Sequence, residues 1–388
     1  MPLYLSNPVL TLYFLLSLII SAFCFLAIRT KSKKIDNINA FFVFLLMVFF
    51  YGTRYPGTID TQMYLGYFDG LTNFESFPWG IGFYQLMLSI KTIWNSHESY
   101  VFYSSLYLIV LLFIVVFLLL SKTYYKSLCL LSFFYSWSFL DLMTNTYRQG
   151  ITVPFVILYV YFLLRGNLLF SLIMAGIALS LHWSAILIII IVTIGWLIRN
   201  RINLLKAMTA IALLVFTLSF FVNANLADFL ARGPLMQQVQ GLFVGVNFAS
   251  KVNAYLGAGI DGANFYDMAG YQRIYYSAEI YIATLIIGFY FIRYSHELKD
   301  DKKFMTLFSA FLLISIYGVL LISMTWFIRN FYWGVPLSQV LYMYILKREE
   351  ERGIKGKYLT FGYILFIISL GTATMWRVPL LTGSYPGF

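Results

Sequence analysis

The sequence predicts an all-α, polytopic membrane protein of about twelve transmembrane helices, and three observations carry that prediction. Of 388 residues, 61% are hydrophobic and 11% charged, against roughly 45–50% and about 25% in soluble chains. The apolar residues are gathered into runs, and a spanning helix takes about 20 of them. The basic residues are sorted into alternate connectors between those runs. Such a composition excludes a soluble globular enzyme, a disordered tail and a disulfide-stapled secreted module.

Read in order, the apolar runs place spans at 8–28, 37–53, 100–121, 127–146, 150–165, 167–183, 184–199, 203–222, 277–295, 304–325, 331–346 and 358–376. The first run has no basic residue before it and Arg29, Lys31, Lys33 and Lys34 after it. It therefore reads as a retained span, and no cleavable signal peptide is expected. The stretch 80–94 is too short to span and reads as an interfacial or re-entrant helix. The spans 167–183 and 184–199 follow each other so closely that Trp183-Ser184 must turn at the membrane surface. No internal repeat of 20–50 residues is visible, and the chain reads as one membrane domain.

Orientation follows from charge. With the N-terminus outside, the short inner loops hold nineteen of the 27 basic residues, as the positive-inside rule requires. That accounts for most of the net charge of +11 without a nucleic-acid partner. Both termini are then expected outside. The outer side also carries two long segments, about 54–99 and 223–276; segments of that length are usually functional or disordered, and their aromatic residues argue for order. Cys24 and Cys129 lie inside apolar runs with no metal-ligand spacing. No metal pair, phosphate loop or nucleophile elbow is present, so no cofactor and no metal are expected.

The outer basic residues are not needed for topology. Four are arginines where spans meet the outer surface: Arg54, Arg148, Arg273 and Arg329. A guanidinium offers a permanently charged planar fork suited to phosphate or carboxylate; contact with lipid headgroups is the alternative for each. If 127–146 stays helical to its end, Trp137, Asp141, Asn145 and Arg148 share one face. Asp141 would then restrain Arg148. His182, in LHWSA, ends a span behind the small-residue stripe Ser171, Ala175 and Ala178, which would admit a neighbouring helix closely. Its imidazole suits a general base, or else it is a buried histidine satisfied by a backbone carbonyl.

RYPGTIDTQMY after the second span, TYRQG opening the fifth, LHWSA about 34 residues later and a late outer arginine in FIRNFYW together resemble the EpsG family of bacterial exopolysaccharide proteins. That family is similar to Wzy-type O-antigen and capsule polymerases. The resemblance covers roughly residues 40–345. It implies a GT-C-like bundle that joins undecaprenyl-diphosphate-linked oligosaccharide repeat units at the outer face of the inner membrane. Its partners would be that lipid-linked glycan, the bilayer and a chain-length regulator protein. On this reading His182 is the base, and Arg148 and Arg329 clamp the diphosphate. Arg54 and Arg273 meet a second diphosphate or an acidic sugar. Asp60 also contacts substrate, and Asp141, Asn145, Tyr147 and Gln149 support the site. An O-antigen-ligase-type glycosyltransferase and a polysaccharide flippase are the competing readings.

Overall fold

The computed structural model describes residues 7–222, 265–266, 268, 270–323 and 328–377, so most of the segment 223–276 lies outside the described residues. Every described regular element is helical, and no strand occurs among the described residues. The chain is a polytopic membrane protein: seven helices are long and apolar enough to cross a membrane, or eight if one sharply bent pair is a single span. Three shorter apolar helices accompany them. The number twelve is therefore not established, although helix lies within the described part of each expected span. The chain packs as two compact units, Met1–Ile190 with Gln339–Phe388, and Ile191–Ser338.

In the first unit, α1 (Asn7–Arg29) and α2 (Lys33–Gly52) form a hairpin. Lys31, at φ 52°, makes the turn, and the Ser32 hydroxyl accepts from the Ile35 amide to start α2. Side-chain stitches join the two helices. Asn39 donates to the Ile20 carbonyl at 3.3 Å and to Cys24 Sγ at 3.1 Å. The outward face of α1, with Leu12, Leu15, Ile19 and Phe23, is exposed, as a lipid-facing surface must be.

The first long connector, about 54–99, is built. It contains α3 (Ile59–Asp69) and α4 (Ile81–Ile93) before α5 (His97–Leu119) opens on a Ser96–Ser99 capping box. At 13 residues, α4 is about 20 Å long, short of the roughly 30 Å hydrocarbon core. Phe83, Tyr84, Met87 and Ile90 face inward while Ile81, Ile93 and Trp94 are exposed.

The expected single span 127–146 is corrected by the structure. It is two helices, α6 (Lys126–Tyr135) and α7 (Trp137–Thr144), bent by 74°. The cause is local: Ser136 is extended (φ −76°, ψ 125°) and its hydroxyl accepts from the Phe139 amide, serving as the N-cap of α7. Every residue of α6 is buried, so the helix runs through the centre of the unit, as an all-round apolar helix should. Helix α8 (Tyr147–Leu164) then pairs closely with α9 (Leu168–Leu181), and α10 (Ala185–Ile198) follows. The small stripe behaves as the sequence implies: Ser171, Ala175 and Ala178 are buried, and Leu168, Leu169 and Leu172 are exposed.

Two polar clusters fix the end of this unit where the α1–α2 and α5–α6 connectors meet. Asp36, fully buried in the first turn of α2, accepts from both the Lys126 and Ser127 amides (3.1 and 2.9 Å), from Ser127 Oγ (2.7 Å) and from Lys126 Nζ (3.1 Å). One carboxylate thus caps the N-terminus of α6 and neutralises a buried lysine. Beside it, Glu350 near the end of α15 (Val335–Glu351) accepts from the Tyr124 and Tyr125 hydroxyls, with Lys31 Nζ 4.0 Å away. Burial and that carboxylate push the Tyr124 phenol up to about 12. The last helix, α16 (Ile354–Arg377), crosses α6 so tightly that a Cβ at Gly371 would overlap the Tyr135 ring.

Gly150 makes a testable contact. A Cβ there would stand 2.3 Å from the Leu142 carbonyl oxygen and 2.9 Å from Leu108 Cδ1. Gly150→Ala must push α7 away from α8, and overpacking of this kind costs about 1–3 kcal/mol. Thermal unfolding of the detergent-purified protein should show a lowered midpoint; an unchanged one would mean that α7 yields freely.

The second unit contains α11 (Ile202–Ser219), α12 (Gly270–Leu298), α13 (Lys302–Leu320) and the single turn α14 (Ile328–Phe331). Glycines set its crossings: a Cβ at Gly195 would press on the backbone of Ser309 and Ala310, and one at Gly288 on Thr209. Its core is Phe216, Phe265, Ile280, Val319, Ile322, Phe331 and Val335. The Phe216 ring stacks on Phe331 at 5.4 Å and meets Tyr281 edge-on at 5.1 Å.

Candidate active site

In the first unit the two sequence motifs singled out in the outer segment and at the head of α8 come together. The Thr144 carbonyl, at the end of α7, accepts hydrogen bonds from the hydroxyls of Thr58 (2.6 Å) and Thr61. The Asp60 amide donates to Asn145 Oδ1 at 3.3 Å. Thr58 is the N-cap of α3 and Asn145 the C-cap of α7, so PGTID is pinned to NTYRQ by the unsatisfied ends of two helices. Asp60 and Asn145 are half-buried there.

The expected four-residue face does not form, because the helix ends at Thr144 and restarts at Tyr147. Trp137 and Asp141 share α7, Asn145 caps it, and Arg148 belongs to the first turn of α8. The Asp141 carbonyl accepts from the Asn145 and Thr146 amides, both at 2.9 Å, closing α7. The contact shown for the Arg148 guanidinium is instead the Trp79 ring, 4.7 Å from its centroid. Its Nε is buried without a hydrogen-bond partner. Trp79 is held in turn by an aromatic cluster of Tyr64, Tyr67, Phe77 and Phe83, with centroids 4.7–5.6 Å away.

The residue after Trp79 links this cluster to His182. A Cβ on Gly80 would lie 2.2 Å from the Ser180 carbonyl oxygen, and one on Gly82 2.3 Å from Ser180 Oγ. Only glycine lets the head of α4 seat against the end of α9 at this distance. His182 is the C-cap of α9, in extended conformation (φ −147°, ψ 108°). Its Nδ1 lies 2.7 Å from Ser184 Oγ, and its carbonyl accepts from the Ala185 amide at the start of α10. The expected tight turn between α9 and α10 is this three-residue connector. Arg148, Trp79, Gly80, Ser180 and His182 thus form a chain of neighbours at one end of the first unit. That end is opposite the one closed by Asp36, Lys126 and Glu350.

Other expected residues lie deeper. Arg54 is only 4% exposed. Its guanidinium donates to the Tyr51 carbonyl at 2.8 Å and to Ser105 Oγ at 2.5 Å, and its Nε has no hydrogen-bond partner. Burial pushes Arg54 down to about 10, partly offset by the surrounding Tyr100, Tyr147 and Tyr51 phenols, so it stays charged at neutral pH. Tyr147 is buried and donates to the Ser104 carbonyl at 2.9 Å; Gln149 is buried beside it. The Tyr147 hydrogen bond ties α8 to α5.

In the second unit, Arg273 Nε and Nη2 donate to the Met268 carbonyl (3.1 Å) and the Tyr266 carbonyl (2.5 Å). Its guanidinium also lies 5.5 Å from the Phe265 and Tyr266 ring centroids. It folds the chain preceding α12 back onto that helix. Arg329 sits half-buried in α14, next to the core residues Ile328 and Phe331.

Trp79, Gly80, Gly82, Thr58, Thr61 and Ser184 join the site without having been singled out for it. The Trp-Gly-x-Gly pattern ahead of a short helix is the one signal that could have pointed to a close helix approach. Among the described residues no group of three or more His, Cys, Asp or Glu side chains could hold a metal ion.

No match was found to a curated protein or to a solved structure. A family model does match, over residues 37–380 and hence nearly the whole chain. The chain therefore belongs to the EpsG family of Wzy-type polysaccharide polymerases.

Proposed function

We propose that this protein polymerises undecaprenyl-diphosphate-linked oligosaccharide repeat units at the outer face of the bacterial inner membrane, with both termini on that side. The observation that carries the proposal is the juxtaposition in the first unit of a cation, Arg148, with a base candidate, His182, across the Trp79–Gly80 hinge. Family membership supports the same reading.

In the reaction, a sugar hydroxyl of one unit attacks the anomeric carbon of the other. The new glycosidic C–O bond forms as the bond to the diphosphate oxygen breaks, and the lipid diphosphate leaves. The hydroxyl proton passes to His182. For Nε2 to accept it, Nδ1 must carry its own proton and donate to Ser184 Oγ, the contact seen at 2.7 Å. Charge gathers on the leaving diphosphate, and fixed cationic donors aimed at it contribute roughly 3–4 kcal/mol each. Arg148 is proposed as such a donor in the first unit, and Arg329 separately as a diphosphate ligand of the second. The Trp79 face holds the Arg148 guanidinium in place, a contact worth about 0.5–2 kcal/mol. Tyr67 and Trp79, both partly exposed, offer rings for sugar stacking. Asp60 and Asn145 frame the glycan side.

Arg54 and Arg273 serve as positioning residues on this account, since each already donates to two oxygens of its own surroundings. Arg54 ties the end of α2 to α5, its charge facing the carbonyl end of α2. Deleting the gene and separating surface polysaccharide on a gel tests the function. Loss of the long chains with single repeat units still reaching the surface is expected. Persistent long chains would end the polymerase reading, and repeat units trapped inside would indicate the flippase.

A further inference from the structure

The seam between α2 and α5 presents a surface that the polymerase reading does not use. Both helices are long and apolar enough to cross a membrane, and they pack against each other in the first unit. Along α2, Lys33, Asn37, Phe41 and Phe44 recur at i, i+4, i+8 and i+11, so they share one helix face. Lys33, Asn37 and Phe41 are exposed, and Phe44 partly so. The facing side of α5 carries Val110, Phe113 and Phe117, all at least partly exposed. Rings join the two helices: Phe44 stacks on Phe41 at 6.2 Å and meets Phe113 edge-on at 5.3 Å, and Phe113 stacks on Phe117 at 4.2 Å. The seam is thus an unbroken aromatic strip with one side open.

Cations stand at one end of the strip. Lys33 opens α2, and Lys122 follows the last residue of α5 by three positions. Asp36 draws their connectors together, since it lies in the first turn of α2 and binds Lys126 and Ser127. Lys126 in turn lies 5.5 Å from the Phe117 ring centroid. Lys33 and Lys122 are both exposed, and among the described residues no carboxylate pairs with either. The acids of this end are engaged elsewhere. Asp36 holds Lys126, and Glu350 takes the Tyr124 and Tyr125 hydroxyls with Lys31 at 4.0 Å. Glu349 and Glu351 pair with Arg352 and Lys347 of their own segment.

We infer that this groove binds an anionic phospholipid of the bilayer, such as phosphatidylglycerol, with its phosphate against Lys33 and Lys122 and an acyl chain along Phe41, Phe44, Phe113 and Phe117. Lysines at the rim of a span reach the headgroup level with their stems on apolar surface, and basic clusters between spans attract anionic heads. Asn37 offers an amide to the glycerol and ester oxygens. The cationic end of the groove is opposite the end that holds Trp79 and His182, so its occupant is a phospholipid of the bilayer rather than the polyprenyl substrate.

Thermal unfolding of the full chain in neutral detergent, titrated with phosphatidylglycerol or phosphatidylcholine, tests the site. A ligand of the folded chain raises the midpoint, and phosphatidylglycerol should do so at the lower concentration. One lysine at a membrane surface is worth about fivefold in affinity for anionic lipid, so K33Q/K122Q should need roughly thirtyfold more of it for the same rise. R29Q/K34Q removes the same charge beside the groove and should keep the parent's response. Phe41→Ala, at an exposed position, should weaken the response while leaving the lipid-free midpoint unchanged. An equal loss in R29Q/K34Q, or an equal rise with phosphatidylcholine, would overturn the site. So would an equal rise with inorganic phosphate, or with polyglutamate as the stand-in for an acidic protein partner, since neither has an acyl chain. A midpoint that answers to undecaprenyl phosphate and not to phosphatidylglycerol would overturn the choice of a phospholipid.

Discussion

His182→Ala should reduce polymer formation by about two to four orders of magnitude, the usual contribution of a positioned general base, while leaving the fold intact. His182 is half-exposed at the end of α9, and its backbone contacts to Ala178 and Ala185 do not depend on the imidazole. The unfolding midpoint should therefore stay near that of the parent while single repeat units accumulate on their carrier. His182→Gln separates shape from proton transfer, since it keeps a polar side chain at the position and cannot act as a base near neutral pH. Ser184→Ala should have a smaller effect in the same direction by releasing the Nδ1 tautomer. Polymer of normal length and yield from His182→Ala would remove the histidine from the chemistry and leave Arg148 and Trp79 as a binding surface alone.

The largest effect on stability is expected at the other end of the first unit. Asp36→Ala leaves the Lys126 ammonium, 3% exposed, with only the Thr123 carbonyl at 2.9 Å and a distant Phe117 ring. It also strips the first amides of α6 of their cap. Breaking one side of a buried ion pair costs about 3–5 kcal/mol, a large part of the 5–15 kcal/mol typical of a whole domain. A steep fall in the unfolding midpoint and in membrane yield is expected. Replacing both partners, as D36L/K126M, should recover much of the loss, because two apolar side chains leave no charge to compensate. A midpoint for Asp36→Ala equal to the parent's would show that α6 is held by packing alone.

These two residues also show what a sequence can and cannot disclose. The spans were legible because apolar runs announce themselves one element at a time, and the small stripe Ser171, Ala175 and Ala178 was legible because helical spacing places it on one face. Lys126 reads as inner-loop charge and Asp36 draws no notice, because nothing local separates a charge in water from one folded beneath a helix end. Ser136 breaks its span with a single hydroxyl inside an otherwise apolar run, too small a signal for periodicity to register. The face expected to join Trp137, Asp141, Asn145 and Arg148 failed for the related reason that Asn145 caps one helix and Thr146 starts the next.

The candidate site was legible as residue types and opaque as neighbours. Arg148 and His182 stood out by their place at span ends, but the link between them runs through Trp79 and Gly80, nearly 70 positions before Arg148 and about 100 before His182. Gly80 simply opens the short helical stretch 80–94 in the sequence, and only the fold puts the Ser180 carbonyl where its Cβ would be. Arg54 reads as a surface cation because it follows an apolar run directly; its burial depends on Ser105, Tyr100 and Tyr147, contributed by other helices.

The central claim is that this chain lengthens a lipid-linked glycan. The most direct test reconstitutes the purified protein in liposomes with a single repeat unit on undecaprenyl diphosphate and resolves the products by size. A ladder of multiples of the repeat unit, growing with time as free lipid diphosphate is released, is the predicted result. Repeat units that stay single, with the carrier still loaded, while the parent protein remains folded would contradict it.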